Sequence, residues 1–343
     1  MIQSKSKFHK GAPARLESTI MTEPANGRAE ETKAILSREE YFKGFLDHLS
    51  IPFLKPITEG FFENIRRVES LIEMPFLMFS MLEIERQSSE HYRSMALDYW
   101  SRGEGIRTFR AEYIKTLTLD PNKATKAKDP DFRERVLKKH DEILAIPNFG
   151  EPLRQSMQVL YSAGVSGSWT ALECLATDLW VTALNEEPLT LAQTAISSLE
   201  GQEPGELTSK QIPVGLAARH GFDLRHCLGT VLRPKFDFTG VSGIQKAYKV
   251  FAPNDGFIEE VLAQPELSDL EATRHVIVHR AGKVDEEYRR RTDSNLPVGE
   301  ILTFSYEQSS KFSYVAAHAG TGLLAFVDEW LVKRKAQGKG VKT

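Results

Sequence analysis

Cysteine is nearly absent from this chain. Cys174 and Cys227 are the only two, too few for a disulfide framework or a zinc finger, and such sparing use fits a reducing cytosol. Long apolar runs are missing as well. A membrane helix needs roughly 18 consecutive apolar residues. The richest stretch, "MPFLMFSML" (Met74 to Leu82), stops at Glu83 and Glu85 and reads as a buried segment. Excess charge of one sign is also missing: 44 Lys and Arg against 47 Asp and Glu give a formal net charge of -3. No global field therefore draws the chain to nucleic acid, and any such contact has to be local. There is no phosphate-binding Gly-x4-Gly-Lys-Ser/Thr loop, no Gly-x-Ser-x-Gly elbow and no recognisable cysteine-nucleophile motif. The basic start "MIQSKSKFHKGAPAR" lacks the apolar core of a secretory signal. No repeat of 20–50 residues is evident.

What the sequence does carry is helical apolar spacing. At 343 residues the chain can bury a sizeable core in one large domain or two. Residues 1–36 show little apolar periodicity and read as a disordered tail, with Met1 and Met21 both open as the natural start. "SREE" (Ser37 to Glu40) reads as a capping box before a helix using Tyr41, Phe42, Phe45, Leu46 and Leu49. Pro52 and Pro56 break it. A second helical run places Phe61, Phe62, Ile65, Val68, Leu71 and Ile72 at threes and fours, is interrupted or kinked at Pro75, and resumes to Trp100. "SRGEGIR" reads as a turn and Thr108 to Leu117 as a helix. The Lys- and Pro-rich stretch Leu119 to Pro152 reads as a solvated helix face flanked by a linker, with a domain boundary near its end.

The second half is helical too. "SGSWTALECLATDLWVTALN" puts Trp169, Leu172, Leu175, Leu179 and Leu184 on one broad face, with Ser166 or Ser168 as cap, and Trp169 and Trp180 as core aromatics. "VSGIQKAYKVFAP", "LSDLEATRHVIVHRAG" and the long run from Ser305 are further helices, with His318 a tight-packing residue of the last. Strands are few. The expected fold is all-α: a helical domain over 37–150, a helical bundle over 151–335 and a basic tail over 336–343.

Chemistry concentrates in "RHVIVH", where three readings are open. His275 and His279, four apart on a helix, share a face and could hold a metal ion. The zinc-protease base position is Val276, however, and only Asp285 and His318 offer themselves as a third ligand. The second reading needs no metal. A histidine moves a proton near neutrality, an arginine grips a phosphate with paired hydrogen bonds, and RNA supplies its own 2′-hydroxyl nucleophile. Arg274 and His279 are that pair, although five residues on an ideal helix sit about 140° apart. Gly282 suggests that the helix ends near His279, which frees its side chain to swing. The third reading is bland: Val276, Ile277 and Val278 as core, His279 as a buried histidine, Arg274 as ion-pair partner of Glu271 or Glu173.

The segment Arg274, His275, Val276-Ile277-Val278, His279 resembles the Arg-polar-x3-His signature of the HEPN superfamily of all-α domains. His275 stands where that family prefers Asn. "RAGKVDEEY", "SWTALECLATDLW" with Glu173 at an acidic position of an early helix, and "GIQKAYKVF" extend the similarity over roughly residues 150–335. The resemblance implies metal-independent RNA cleavage without a cofactor, in phage defence, toxin–antitoxin pairs or stress response. His279 would transfer protons, Arg274 would clamp phosphate, His275 would be an accessory polar group and Glu173 an orienting residue. It also implies a homodimer with a composite cleft, and an antitoxin or partner protein in some settings. A non-catalytic module that dimerises and binds nucleotide or protein is the alternative. Residues 1–150 carry no specific resemblance.

Overall fold

The computed structural model describes residues 40–101, 131–188, 191, 214–219, 221, 223, 226–252 and 256–338. The expected cap at Ser37, the helix Thr108 to Leu117 and the tails 1–36 and 339–343 lie outside them; of the expected turn "SRGEGIR" only Ser101 lies within. The described part is all-α. Its only β-type pairing is an isolated antiparallel bridge between Lys283 and Ile301, and none of its helices is long and apolar enough to cross a membrane.

Helix α1 (residues 40–48) turns its apolar face inward, stacking Phe42 on Phe62 with ring centroids 4.0 Å apart. The chain reverses at Ser50 and Ile51, whose amides donate to the Asp328 carboxylate at 3.2 and 2.8 Å. A single 3-10 turn, Pro52–Leu54, leads into α2 (Lys55–Ser101). Pro56 sits in the first turn of α2, where a missing N–H costs nothing. Pro75 lies inside α2, and the helix continues through it to Ser101. Helix α3 (Phe132–Leu144) docks on α2 through buried Val136 and through Arg135, whose Nε donates to Glu83 at 2.9 Å. Glu83 is 2 % exposed and also takes both prongs of Arg86.

Helix α4 (Gly150–Glu186) is the axle of the fold, packed by α2 and by the last long helix. It begins well before either serine expected to cap it. Ser168 is buried in mid-helix, its hydroxyl donating to Gly164 O at 2.9 Å. The "GVSG" stretch lies within continuous helix. A Cβ on Gly164 would lie 2.4 Å from Ile72 Cγ1, and one on Gly167 2.9 Å from Val68 Cγ2. The missing side chains form a socket that lets α2 approach.

Four short helices follow: α5 (Val214–Arg219), α6 (Leu228–Leu232), α7 (Val241–Tyr248) and α8 (Phe257–Leu262); α6 and α7 pack on α4, and α8 packs on α7 and the last long helix. Trp180 Nε1 donates to Ala247 O, and the Tyr248 hydroxyl to Ala176 O, each at 2.9 Å, which pins α7 to α4. Trp169 and Trp180 are both fully buried, as expected of core aromatics. After α9 (Pro265–Arg280) and α10 (Glu286–Thr292) comes α11 (Tyr306–Gly338). It starts with a reciprocal cap: Gln308 N donates to Ser305 Oγ and Ser305 N to Gln308 Oε1. It ends three residues beyond the expected boundary at 335. Within it, close packing falls to Gly320, seated against Phe61 and Leu175. His318, expected in that role, is exposed and bonds Gln264.

One hydrophobic cluster runs from Phe42 to Leu331 and joins α1 and α2 to α4 and α11. The expected division near residue 150 finds no break in this core. Met74 to Leu82 also departs from its reading as a buried segment. Phe79 is buried, but Met74, Leu77, Met78, Met81 and Leu82 are exposed.

Candidate functional site

Helix α9 opens with Gln264 in extended conformation and Pro265 in its first turn, the position that suits proline's fixed φ. Leu267, Leu270, Ala272, Thr273 and Val276 form its buried face, which packs on α4 and α11. The two readings of Arg274 as an ion-pair partner find no support. Glu271 is committed elsewhere, to Arg291 at 3.0 Å and to the Val241 amide at 3.2 Å. There it meets the first free N–H of α7, which a carboxylate satisfies well. Glu173, half-buried on α4, makes no hydrogen bond or ion pair through its side chain among the described residues; its carbonyl accepts from Thr177. Arg274 is half-buried and makes none either.

The outer face of α9 is different. His275 and His279 are both exposed, with ring centroids 4.8 Å apart and planes tilted by 44°. Val278 beside them is 51 % exposed, so the expectation that all three residues of the "VIV" run are core holds for Val276, in part for Ile277, and fails for Val278. Nor is His279 a buried helix-end histidine. The helix stays regular through Arg280, one residue past His279. Ala281 then turns left-handed (φ 52), followed by Gly282 (φ 78), whose amide donates to Val276 O at 3.0 Å. Termination comes too late to release His279, so Arg274 and His279 keep their separation of about 140° around the helix.

Of the four residues singled out from sequence, the two histidines come together; among the described residues no hydrogen bond or ion pair links Arg274 or Glu173 to them. Neither the protein-family models, the curated proteins nor the solved structures match this chain. Its chemistry has to be read from its own side chains.

Past the helix end, residues 282–284 are strapped to 299–302. Val284 N donates to Glu300 O, and Leu302 N to Gly282 O, at 2.9 and 2.8 Å. Asp285 then caps α10 by accepting from Tyr288 N at 2.8 Å and pairs with Arg280 at 3.5 Å. His275, Asp285, Glu287, Tyr288 and Arg291 line a shallow open depression beside the histidine pair, floored by Ala272 and Val276. Asp285 and His318 were the third-ligand candidates, and among the described residues no three such side chains gather as metal ligands. Sequence reasoning missed the Glu271–Arg291 pair and the Arg280–Asp285 pair. Asp285 followed three residues on by Tyr288, with Glu286 and Glu287 in the first turn, is a readable cap signal. Nothing local marks Glu271 as the anchor of α7, because its partners lie 20 and 30 residues away.

Two exposed imidazoles at this spacing can give and take protons on a molecule that approaches from solvent. Arg274, Arg280 and Lys283 put cationic side chains on the same helix and the strap that follows it.

Proposed function

We propose that the chain is a metal-independent endoribonuclease of HEPN type, acting as a homodimer. The observation that carries this reading is the exposed His275–His279 pair, open to solvent and committed to no structural hydrogen bond among the described residues. His279 takes the proton from the RNA 2′-hydroxyl, whose oxygen attacks the adjacent phosphorus. The bond from phosphorus to the 5′-oxygen breaks, and that oxygen receives a proton from an imidazolium, for which His275 or the partner's His279 is available. The products are a 2′,3′-cyclic phosphate and a 5′-hydroxyl. Arg274 clamps the phosphate from the second copy, since within one chain it sits on another face of α9; a two-fold axis supplies the composition that one helix cannot. Phage defence, toxin–antitoxin function or stress response is the setting this family reading carries, with an antitoxin or other protein as regulator.

A second reading, a non-catalytic HEPN module that dimerises and binds nucleotide or protein, is favoured by the angular separation of Arg274 from His279 and by the net charge of -3. One experiment divides the two. The purified chain is incubated with RNA in excess EDTA, and the ends are analysed. The ribonuclease reading expects cyclic phosphate ends and a loss of about 10²–10⁴-fold for His279→Ala, at an unchanged melting temperature because the side chain is exposed. RNA binding without cleavage assigns the second reading. Cleavage that needs added zinc or magnesium refutes the mechanism.

A further inference from the structure

Helix α2 has two apolar faces, and the described residues cover one. Val68, Ile72, Phe79 and Glu83 point into the body, against Gly167, Gly164, His140 and Arg135. At about 100° per residue, Met74, Leu77, Met81 and Ile84 lie on the opposite side. All are exposed, Met81 to 72 %, and Met78 widens the stripe. A helix apolar all round is normally covered all round. The spacing 74, 77, 81, 84 is the alternating three–four step of a helix–helix seam, and the preceding position of that step is the exposed, polar Ser70.

We propose that this stripe is the docking surface for α2 of a second copy, packed antiparallel. Charge selects both the occupant and its direction. Arg67, which already pairs with Glu63 of its own helix at 3.1 Å, flanks one end of the stripe; Glu85, which makes no ion pair among the described residues, flanks the other. Antiparallel pairing centred between Leu77 and Met78 sets Met74 against the partner's Met81. It brings each Arg67 within about one helical turn of the partner's Glu85. Parallel pairing puts Arg67 level with Arg67 and Glu85 level with Glu85, which leaves the opposite charges 18 residues, about 27 Å, apart along the seam. The stripe is thus complementary to itself in one direction, as an isologous interface must be. This surface is separate from the α9 face and does not depend on the ribonuclease reading.

The test is the mass of the full chain in solution by light scattering. Leu77→Glu combined with Met81→Glu halves the mass with helix content unchanged. Glu85→Arg, which sets like charges together at two symmetric points, weakens the pairing about ten-fold. Arg67→Glu added to it restores the pairing. Val278→Glu on the α9 face leaves the stripe assembly intact, so the two surfaces fail separately. A monomeric wild type, a Leu77→Glu, Met81→Glu variant of wild-type mass, or one that unfolds because the chain itself covers the stripe overturns the proposal. So does a charge swap that fails to restore.

Discussion

Two alanine substitutions in helix interiors are expected to change stability in opposite directions. Replacing glycine by alanine inside a helix gains up to about 1 kcal/mol from backbone propensity alone. At Gly60, in α2, a new Cβ meets nothing within 4 Å, so Gly60→Ala should stabilise by about 0.5–1 kcal/mol. At Gly164 the same methyl would sit 2.4 Å from Ile72 Cγ1, when ordinary contact begins at 3.4 Å. The shortfall of 3.4 − 2.4 = 1.0 Å has to come from the helices parting, because Ile72 is 1 % exposed and cannot swing aside. Overpacking of this kind costs about 1–3 kcal/mol, which outweighs the propensity gain. Gly164→Ala should therefore destabilise, by about 1–2 kcal/mol net. Urea unfolding followed by circular dichroism reads both variants on one scale. Adding Ile72→Ala should relieve part of the strain, with a coupling of at least about 0.5 kcal/mol in a double-mutant cycle. A Gly164→Ala variant as stable as Gly60→Ala, or additive energies in the cycle, would refute the close approach of α2 and α4.

Two further outcomes are accessible with the same equipment. Ala281 holds a left-handed conformation (φ 52) at the end of the site helix, which glycine adopts without the Cβ penalty; Ala281→Gly should raise stability by about 0.5–1 kcal/mol, and a loss would contradict the cap geometry. Hydrogen bonds from the Thr239 side chain and backbone hold the Asp237 carboxyl below its usual range. With the folded value depressed, that stabilisation is complete above the ordinary carboxylate range and disappears as pH falls through the folded value. Thr239→Val should flatten the acid limb of a pH–stability curve, and an unchanged limb would rule out the contribution.

The helices were legible in the sequence because their apolar residues recur at threes and fours, and Phe61, Phe62, Ile65, Val68 and Ile72 are buried as that spacing requires. Local punctuation was less reliable. Gly164 and Gly167 look like a helix start when read alone, and only the presence of Ile72 and Val68 across the interface turns them into a socket. Met74 to Leu82 looked buried because hydropathy counts residues and not directions, whereas a helix sends Phe79 inward and Met81 outward. At the site, the four-residue spacing was enough to bring His275 and His279 together. The place of Arg274 was not legible, since its expected partner Glu271 is taken by Arg291 and by the start of α7, contacts that no local pattern encodes.

The clasp between the two ends of the described chain also sets an order of events during synthesis. Phe61 is seated against Gly320, and the amides of Ser50 and Ile51 are satisfied by Asp328, 278 and 277 residues further on. A ribosome adding about 5–20 residues per second takes on the order of 15–50 s to travel that distance. For that interval the aromatic face of α1 and α2 has no α11 to close over it. The nascent chain is then a candidate for chaperone capture, until the last helix emerges and completes the core from behind.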